Sequence, residues 1–197
     1  MTAPVVLASS NRGKLAEFEA LLAACGLALL PQSQFTTAIA PETGDSFLAN
    51  ALIKARHAAR ASGLPVLADD SGLEVDCLGG APGVHSARFA GPAASDADNN
   101  ALLLDKLAGI AEDQRTANFR CVLVYLRSAE DPAPLICEGV WRGRILHTPR
   151  GSNGFGYDPL FLVPDLGVSA AELTATEKNA CSHRGRALRA LVAALQS

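Results

Sequence analysis

The stretch Leu67–Gly80, LADDSGLEVDCLGG, decides how the chain is read. Asp69 and Asp70 follow the apolar run Leu64–Ala68 (LPVLA), and Asp76 closes the run Gly72–Asp76 (GLEVD). Two short β-type runs around a pair of acids predict two strands joined by an acidic turn. Carboxylates at a strand end sit on the rim of a sheet, where ligands bind in α/β proteins. They would equally serve as an ordinary polar turn, so the choice rests on the rest of the chain.

Working outward, Pro4–Ala8 (PVVLA) is a β-branched run that predicts a buried strand, and Leu27–Pro31 (LALLP) a second one. Between them, Lys14–Cys25 places Leu15, Phe18, Leu21 and Leu22 on one helical face, with Gly26 as the stop. Asp45–Gly63 predicts a helix capped by Asp45 or Ser46, with Phe47, Leu48, Ala51, Leu52 and Ala55 as its apolar face and Gly63 as its end. Ser95–Ile110 predicts another, with Ser95 and Asp98 at capping-box spacing. Ala117–Arg127 and Leu135–Ile145 read as long neighbouring strands, Pro159–Val163 as one more, and the chain from Ala170 onward as helix. The fold expected is α/β: a mixed twisted β-sheet flanked by helices, with the active site in a cleft at strand ends. Residues 1–197 are expected to form one domain.

Composition narrows the function. Hydrophobic residues make up 49% and charged residues 19%, the balance of a soluble globular chain. A net charge of -3 argues against a protein that coats nucleic acid. No stretch approaches the about 20 apolar residues that span a bilayer. The N-terminal apolar run lacks a preceding basic segment, so neither secretion nor a membrane partner is expected. Cys25, Cys77, Cys121, Cys137 and Cys181 are odd in number and widely spaced, which fits reduced thiols in the cytoplasm, packed as small core residues.

Standard nucleotide fingerprints are absent. Lys14 follows Gly13, but Leu15 stands where a P-loop has Ser or Thr, and Gly154–Pro159 (GFGYDP) precedes a strand rather than a helix. Four polar clusters remain. Ser9–Lys14 (SSNRGK) lies between a strand and a helix, where backbone N–H groups and a lysine suit a phosphate chain; it would also serve as a plain capped loop. Glu42 precedes the helix that carries Lys54, and by itself reads as a surface acid near a helix start. Asp69 and Asp70, with Ser71, suit a hard cation such as Mg²⁺, which takes one or two protein carboxylates together with substrate phosphates. Last, Asn153–Pro159 (NGFGYDP) offers Phe155 for stacking on a planar base, and Glu177–Leu188 (EKNACSHRGRAL) supplies Lys178, His183 and Arg184. The ordinary readings of these are a loop anchor and a solvated basic face. Phosphate binder, carboxylate pair and aromatic loop beside cationic donors are together the parts of a nucleotide-hydrolysing site.

The segments SSNRGKLAEF, ADDSGLEVDCLGGAPGVHSARFAG, GFGYDPLF and EKNACSHRGRAL, in that order, resemble those of the inosine triphosphate pyrophosphatase family, the dITP/XTP pyrophosphatases. The resemblance implies Mg²⁺-dependent hydrolysis of non-standard purine nucleoside triphosphates (ITP, dITP, XTP) to the monophosphate and pyrophosphate, by a cytoplasmic homodimer. Carried over by position, Ser9, Ser10, Asn11, Arg12, Gly13 and Lys14 would bind the triphosphate, with Lys54 a further phosphate contact. Glu42 and Asp70 would hold Mg²⁺. Asp70 would accept the proton, with Asp69 able to share that role, and Ser71 would touch substrate. Phe155, Gly156, Tyr157, Asp158, Lys178, His183 and Arg184 would form the base pocket. Ser10 falls where relatives often carry glycine. Two rivals stand beside this reading: a related pyrophosphatase for other modified nucleotides, and a nucleotide-sensing module without turnover.

Overall fold

The computed structural model describes residues 4–9, 12–23 and 28–196. Ser10 and Asn11, and the expected helix stop at Gly26, lie outside the described residues. In chain order the elements are β1 (Val5–Ala8), α1 (Arg12–Ala23), β2 (Leu29–Pro31), α2 (Phe47–Ser62), β3 (Val66–Val75), α3 (Asp96–Lys106), β4 (Thr116–Leu126), β5 (Leu135–Ile145), β6 (Phe161–Val163), β7 (Val168–Ser169), α4 (Ala175–Cys181) and α5 (His183–Gln196).

These strands form one seven-stranded sheet in the order β2-β1-β3-β4-β5-β6-β7. β1 pairs in parallel with β2, Val6 opposite Leu30, and with β3, Val6 opposite Val66. Parallel neighbours need a crossover connection, and α1 and α2 supply the two required here. β6 runs antiparallel to β5, with Phe161 opposite Ile145, and to β7, with Ser169 opposite Leu162. The sheet is therefore mixed and carries helices, as the sequence predicts.

By packing, the chain divides into two compact units: Met1–Asp70, Cys121–Gly139 and Arg184–Ser197 in the first, Ser71–Arg120 and Val140–His183 in the second. In the first unit, strand alternation sorts the side chains into two layers. Val5, Leu7 and Leu67 face Phe18 and Leu22 of α1 and Ala187, Leu188 and Leu191 of α5. Val6, Ala8, Val66 and Ala68 face Ala51, Ala55, Ala58 and Ala59 of α2. In the second unit Leu73, Val75, Leu103, Leu107, Phe119, Trp141, Ile145 and Phe161 close one core. Full burial of a Leu or Phe stabilises by roughly 2 kcal/mol. Arg115 is buried beside this core. Its Nε donates to Ile145 O (2.8 Å), its Nη1 to Leu107 O (2.9 Å) and its Nη2 to Leu146 O (2.9 Å).

Local signals explain the helix ends. Ser46 Oγ accepts from Ala49 N at 3.2 Å to start α2, and Gly63 ends it in a left-handed conformation. Ser95 and Asp98 form the expected capping box at the start of α3.

Three expectations change. The acidic turn does not exist: β3 runs unbroken through Asp69 and Asp70, both buried, because lysines neutralise them as described below. The expected C-terminal helix is a 3-10 turn at Ala170–Glu172 followed by α4 and α5. A second capping box, Thr174 with Glu177, starts α4, and Ser182 in an extended conformation separates it from α5. Cys77 is exposed rather than packed in a core, whereas Cys121 and Cys137 are buried; the four described cysteines are free thiols. Among the described residues, no helix is long and apolar enough to cross a membrane.

Candidate active site

The first unit gathers a charged cluster around Asp69 and Asp70, in the middle of β3. Successive strand residues point to opposite faces. Asp69 therefore continues the Leu67 side, toward α1 and α5, while Asp70 continues the Val66 and Ala68 side, toward α2. Each meets its own lysine. Lys14, in the first turn of α1, lies 2.8 Å from Asp69 Oδ2, and Lys54 of α2 lies 2.7 Å from Asp70 Oδ1.

The same Lys54 ammonium also meets Glu42 Oε1 at 2.9 Å, so Glu42 and Asp70 converge on one point. One turn before it on α2, Asn50 donates from Nδ2 to Asp70 Oδ2 at 3.4 Å and accepts from Gly44 N at 2.8 Å. Gly44 passes so close to α2 that a Cβ there would stand 2.7 Å from Asn50 Oδ1 and from Ala49 Cβ. Only glycine lets the Glu42-bearing loop take this path. On the opposite face, Arg184 of α5 donates from Nη1 to Glu17 Oε2 at 2.6 Å, and its Nε lies 3.9 Å from Asp69 Oδ2.

This arrangement sets the two aspartates apart. Burial works to raise the Asp69 pKa, but the charges of Lys14, Arg184 and Lys54 outweigh it and hold the carboxyl down at about 2. For Asp70 burial wins, and its pKa rises despite the pull of Lys54. Burial also works against the Lys54 ammonium, yet Asp69, Asp70 and Glu42 raise its pKa overall. Neighbouring acids pushed in opposite directions can divide their labour: Asp69 is a fixed negative charge, and Asp70 is the better proton acceptor.

The second unit holds the aromatic loop. Gly154 and Gly156 have φ of +76° and +62°, a left-handed geometry that favours glycine, and a Cβ on Gly154 would run into the Asp158 carboxylate. Asp158 Oδ2 accepts from Phe155 N at 2.9 Å and from Lys178 Nζ at 2.6 Å. The Lys178 ammonium in turn stands 4.9 Å from the centroid of the Phe155 ring. Tyr157 is a core residue whose hydroxyl donates to Ser86 O at 2.8 Å; burial, with the charge of Asp96, pushes its pKa up. The His183 ring stacks on Phe119, with centroids 4.8 Å apart and planes 12° apart.

Of the residues singled out from the sequence, Glu42, Lys14, Lys54, Asp69, Asp70 and Arg184 come together in the first unit. Phe155, Asp158 and Lys178 come together in the second, with Gly156 and Tyr157 in the same loop. Ser9 follows β1, Arg12 and Gly13 open α1, and Ser71 continues β3, partly buried. Lys178, His183 and Arg184 are buried, so the basic segment is not a solvated face.

Sequence reasoning missed Glu17 and Asn50. Glu17 looks like any surface acid of an amphipathic helix. Asn50 did leave a signal: an asparagine between Ala49 and Ala51 on an apolar helical face is costly unless its amide has work to do.

Two carboxylates meeting at a single cation-filled point fit a hard divalent ion that draws its other ligands from phosphate and water. Among the described residues, no three His, Cys, Asp or Glu side chains form a cage that would hold an ion alone.

Residues 5–194 match the sequence profile of the Ham1 family, and the chain belongs to that family. It is 57% identical to a dITP/XTP pyrophosphatase of Methylococcus capsulatus, over all of this chain and 98% of the relative. A dITP/XTP pyrophosphatase of Pectobacterium atrosepticum is 56% identical, over 98% of each chain. Among solved structures, a HAM1 protein from Coxiella burnetii superposes with a TM-score of 0.92 at 50% identity, covering 99% of each chain.

Proposed function

We propose that the chain hydrolyses non-canonical purine nucleoside triphosphates, ITP, dITP and XTP, to the nucleoside monophosphate and pyrophosphate, with Mg²⁺. The observation that carries this reading is the pairing of each aspartate of the Asp69–Asp70 dyad with a lysine from a different helix. Such a cluster presents cations for a polyphosphate and carboxylates for a metal and a proton within one unit. The full-length similarity to dITP/XTP pyrophosphatases supports the substrate class.

In this reading water attacks the α-phosphorus, the bridging bond to the β-phosphate breaks, and pyrophosphate leaves. Asp70, its pKa raised by burial, takes the proton of the attacking water. Lys14 and Lys54 offset the charge that gathers on the pyrophosphate. Asp69 stays ionised and keeps Lys14 and Arg184 in place. Ser9, Ser10, Asn11, Arg12 and Gly13 bind the phosphates. Glu42 and Asp70 would hold Mg²⁺, which when bound neutralises phosphate oxygens and polarises the phosphorus. The two oxygens of Asp70 have separate donors, Lys54 on Oδ1 and Asn50 on Oδ2, which fix the carboxylate's orientation.

Phe155 supplies a stacking face that accepts any base, and Lys178 and Arg184, obligate donors, with His183, favour a purine with an oxo group at the position where adenine has an amine. Gly156, Tyr157 and Asp158 fix that loop, and Ser71 contributes a further substrate contact. Residues 1–197 are proposed to act as one pyrophosphatase domain, in the cytoplasm and as a homodimer, which rests on the family resemblance. The test is pyrophosphate release across ITP, dITP, XTP, GTP and ATP, with and without Mg²⁺. Mg²⁺-dependent release that favours ITP, dITP and XTP is expected, and equal turnover of ATP would overturn the reading.

A further inference from the structure

We propose that Asp96 and Asn100 of α3 are positioning residues for base selection, holding Gly156 at both its N–H and its C=O and so fixing Phe155. This rests on the function proposed above. Gly156 N donates to Asp96 Oδ2 at 2.6 Å, and Asn100 Nδ2 donates to Gly156 O at 2.9 Å. The two side chains stand four residues apart on α3 and therefore on one face, one turn from each other. Together they grip the peptide groups on either side of a residue whose left-handed φ of +62° has to be held in place.

Among the described residues, Gly156 is the hydrogen-bond partner of both side chains. The capping box of α3 is made by Ser95 and Asp98; Asp96 is exposed in the first turn, where its charge also suits the helix dipole. Asn100 Oδ1 is buried and has no hydrogen-bond partner among the described residues. A buried acceptor without a partner is a cost, so the amide is kept for its donor end, the one on Gly156. The consequence falls on the preceding residue. Phe155 N is held by Asp158, and its ring faces Lys178. With Gly156 also held, the ring and the ammonium keep one arrangement, and a purine meets it without first ordering the loop.

The test compares Asp96→Ala, Asp96→Asn, Asn100→Asp and wild type in KM and kcat for ITP and ATP. Asp96→Asn keeps an acceptor for Gly156 N. Asn100→Asp keeps the shape but replaces the donor with an acceptor. Asp96→Ala and Asn100→Asp are expected to raise KM for ITP by on the order of tenfold, to leave kcat within about twofold, and to narrow the ITP-to-ATP ratio of kcat/KM, as loss of a hydrogen bond that only orders a binding loop should. Asp96→Asn is expected to restore most of the loss. Equal losses on ITP and ATP, a fall confined to kcat, or no rescue by Asp96→Asn would overturn the proposal. Because Asp96 is exposed, its variants keep the test open even if Asn100→Asp fails to fold. A wild-type protein without preference for ITP over ATP would instead defeat the parent reading, and that result is visible before any variant is made.

Discussion

Asp69 and Asp70 are chain neighbours on β3 whose carboxylates point to opposite faces of the strand, one 2.8 Å from Lys14 of α1, the other 2.7 Å from Lys54 of α2. Two adjacent acids would repel each other in a turn. In a strand the pleat separates them, and each enters a different electrostatic setting.

The first prediction follows from that separation. Asp70→Asn keeps shape and removes both charge and basicity, so turnover should fall by on the order of a hundredfold or more, with the fold retained. Circular dichroism together with Mg²⁺-dependent pyrophosphate release checks this. A folded variant with near-normal turnover would remove Asp70 from its role.

Asp69 carries a stability prediction. Its pKa is about 2 in the folded chain against an ordinary 3.8, so the folded state favours the ionised form. That contribution is present above the ordinary value and is lost as pH falls through about 2, where both states bind the proton. It amounts to about 2 kcal/mol. Melting temperature measured from pH about 5 down to about 2 should therefore fall more steeply for wild type than for Asp69→Asn. Parallel curves would contradict the assignment.

Lys14 and Lys54 should act on phosphate and not on base. Lys14→Ala and Lys54→Ala are predicted to depress turnover of ITP and GTP by the same factor, because a phosphate contact carries no information about the purine. The ratio of kcat/KM for the two substrates is the measurement, and a large change in it would assign the lysine another task.

Arg115 is predicted to be structural. Arg115→Met removes the guanidinium that donates to the carbonyls of Leu107, Ile145 and Leu146, of which Leu107 O keeps Ile110 N at 3.1 Å. The cost should be about 3 kcal/mol or more of unfolding free energy, read by denaturant titration. Steady-state KM for ITP should barely move in whatever fraction stays folded.

Much of the fold was legible because local rules agreed. The strand at Val5–Ala8, the Ser46 cap, the Ser95–Asp98 box and the long strands β4 and β5 each follow from short-range pattern. β3 was not legible, since two adjacent aspartates look like a turn until their cations are known. Those cations come from helices far away in the chain, and spacing alone does not reveal them. The break between α4 and α5 was hidden for a similar reason: Ser182 is extended within an otherwise helical stretch, and nothing local demands it. In the site, residue types and order pointed to Lys14, the Asp69–Asp70 pair and the Phe155 loop, whereas Glu42, which alone reads as a surface acid, and Lys54 entered through the family resemblance. Glu17, Asn50, Asp96 and Asn100 bind side chains or backbone that only the folded chain brings near, and all four sit on helices, where a polar residue is ordinary except on the apolar face that carries Asn50.

Hydrolysis at the α-phosphate can be followed by letting the protein turn over ITP with Mg²⁺ in water enriched in heavy oxygen and tracing the label by phosphorus NMR. Attack at the α-phosphorus predicts label in inosine monophosphate and unlabelled pyrophosphate as the other product. Label in pyrophosphate, or inosine diphosphate with inorganic phosphate as products, would contradict the account.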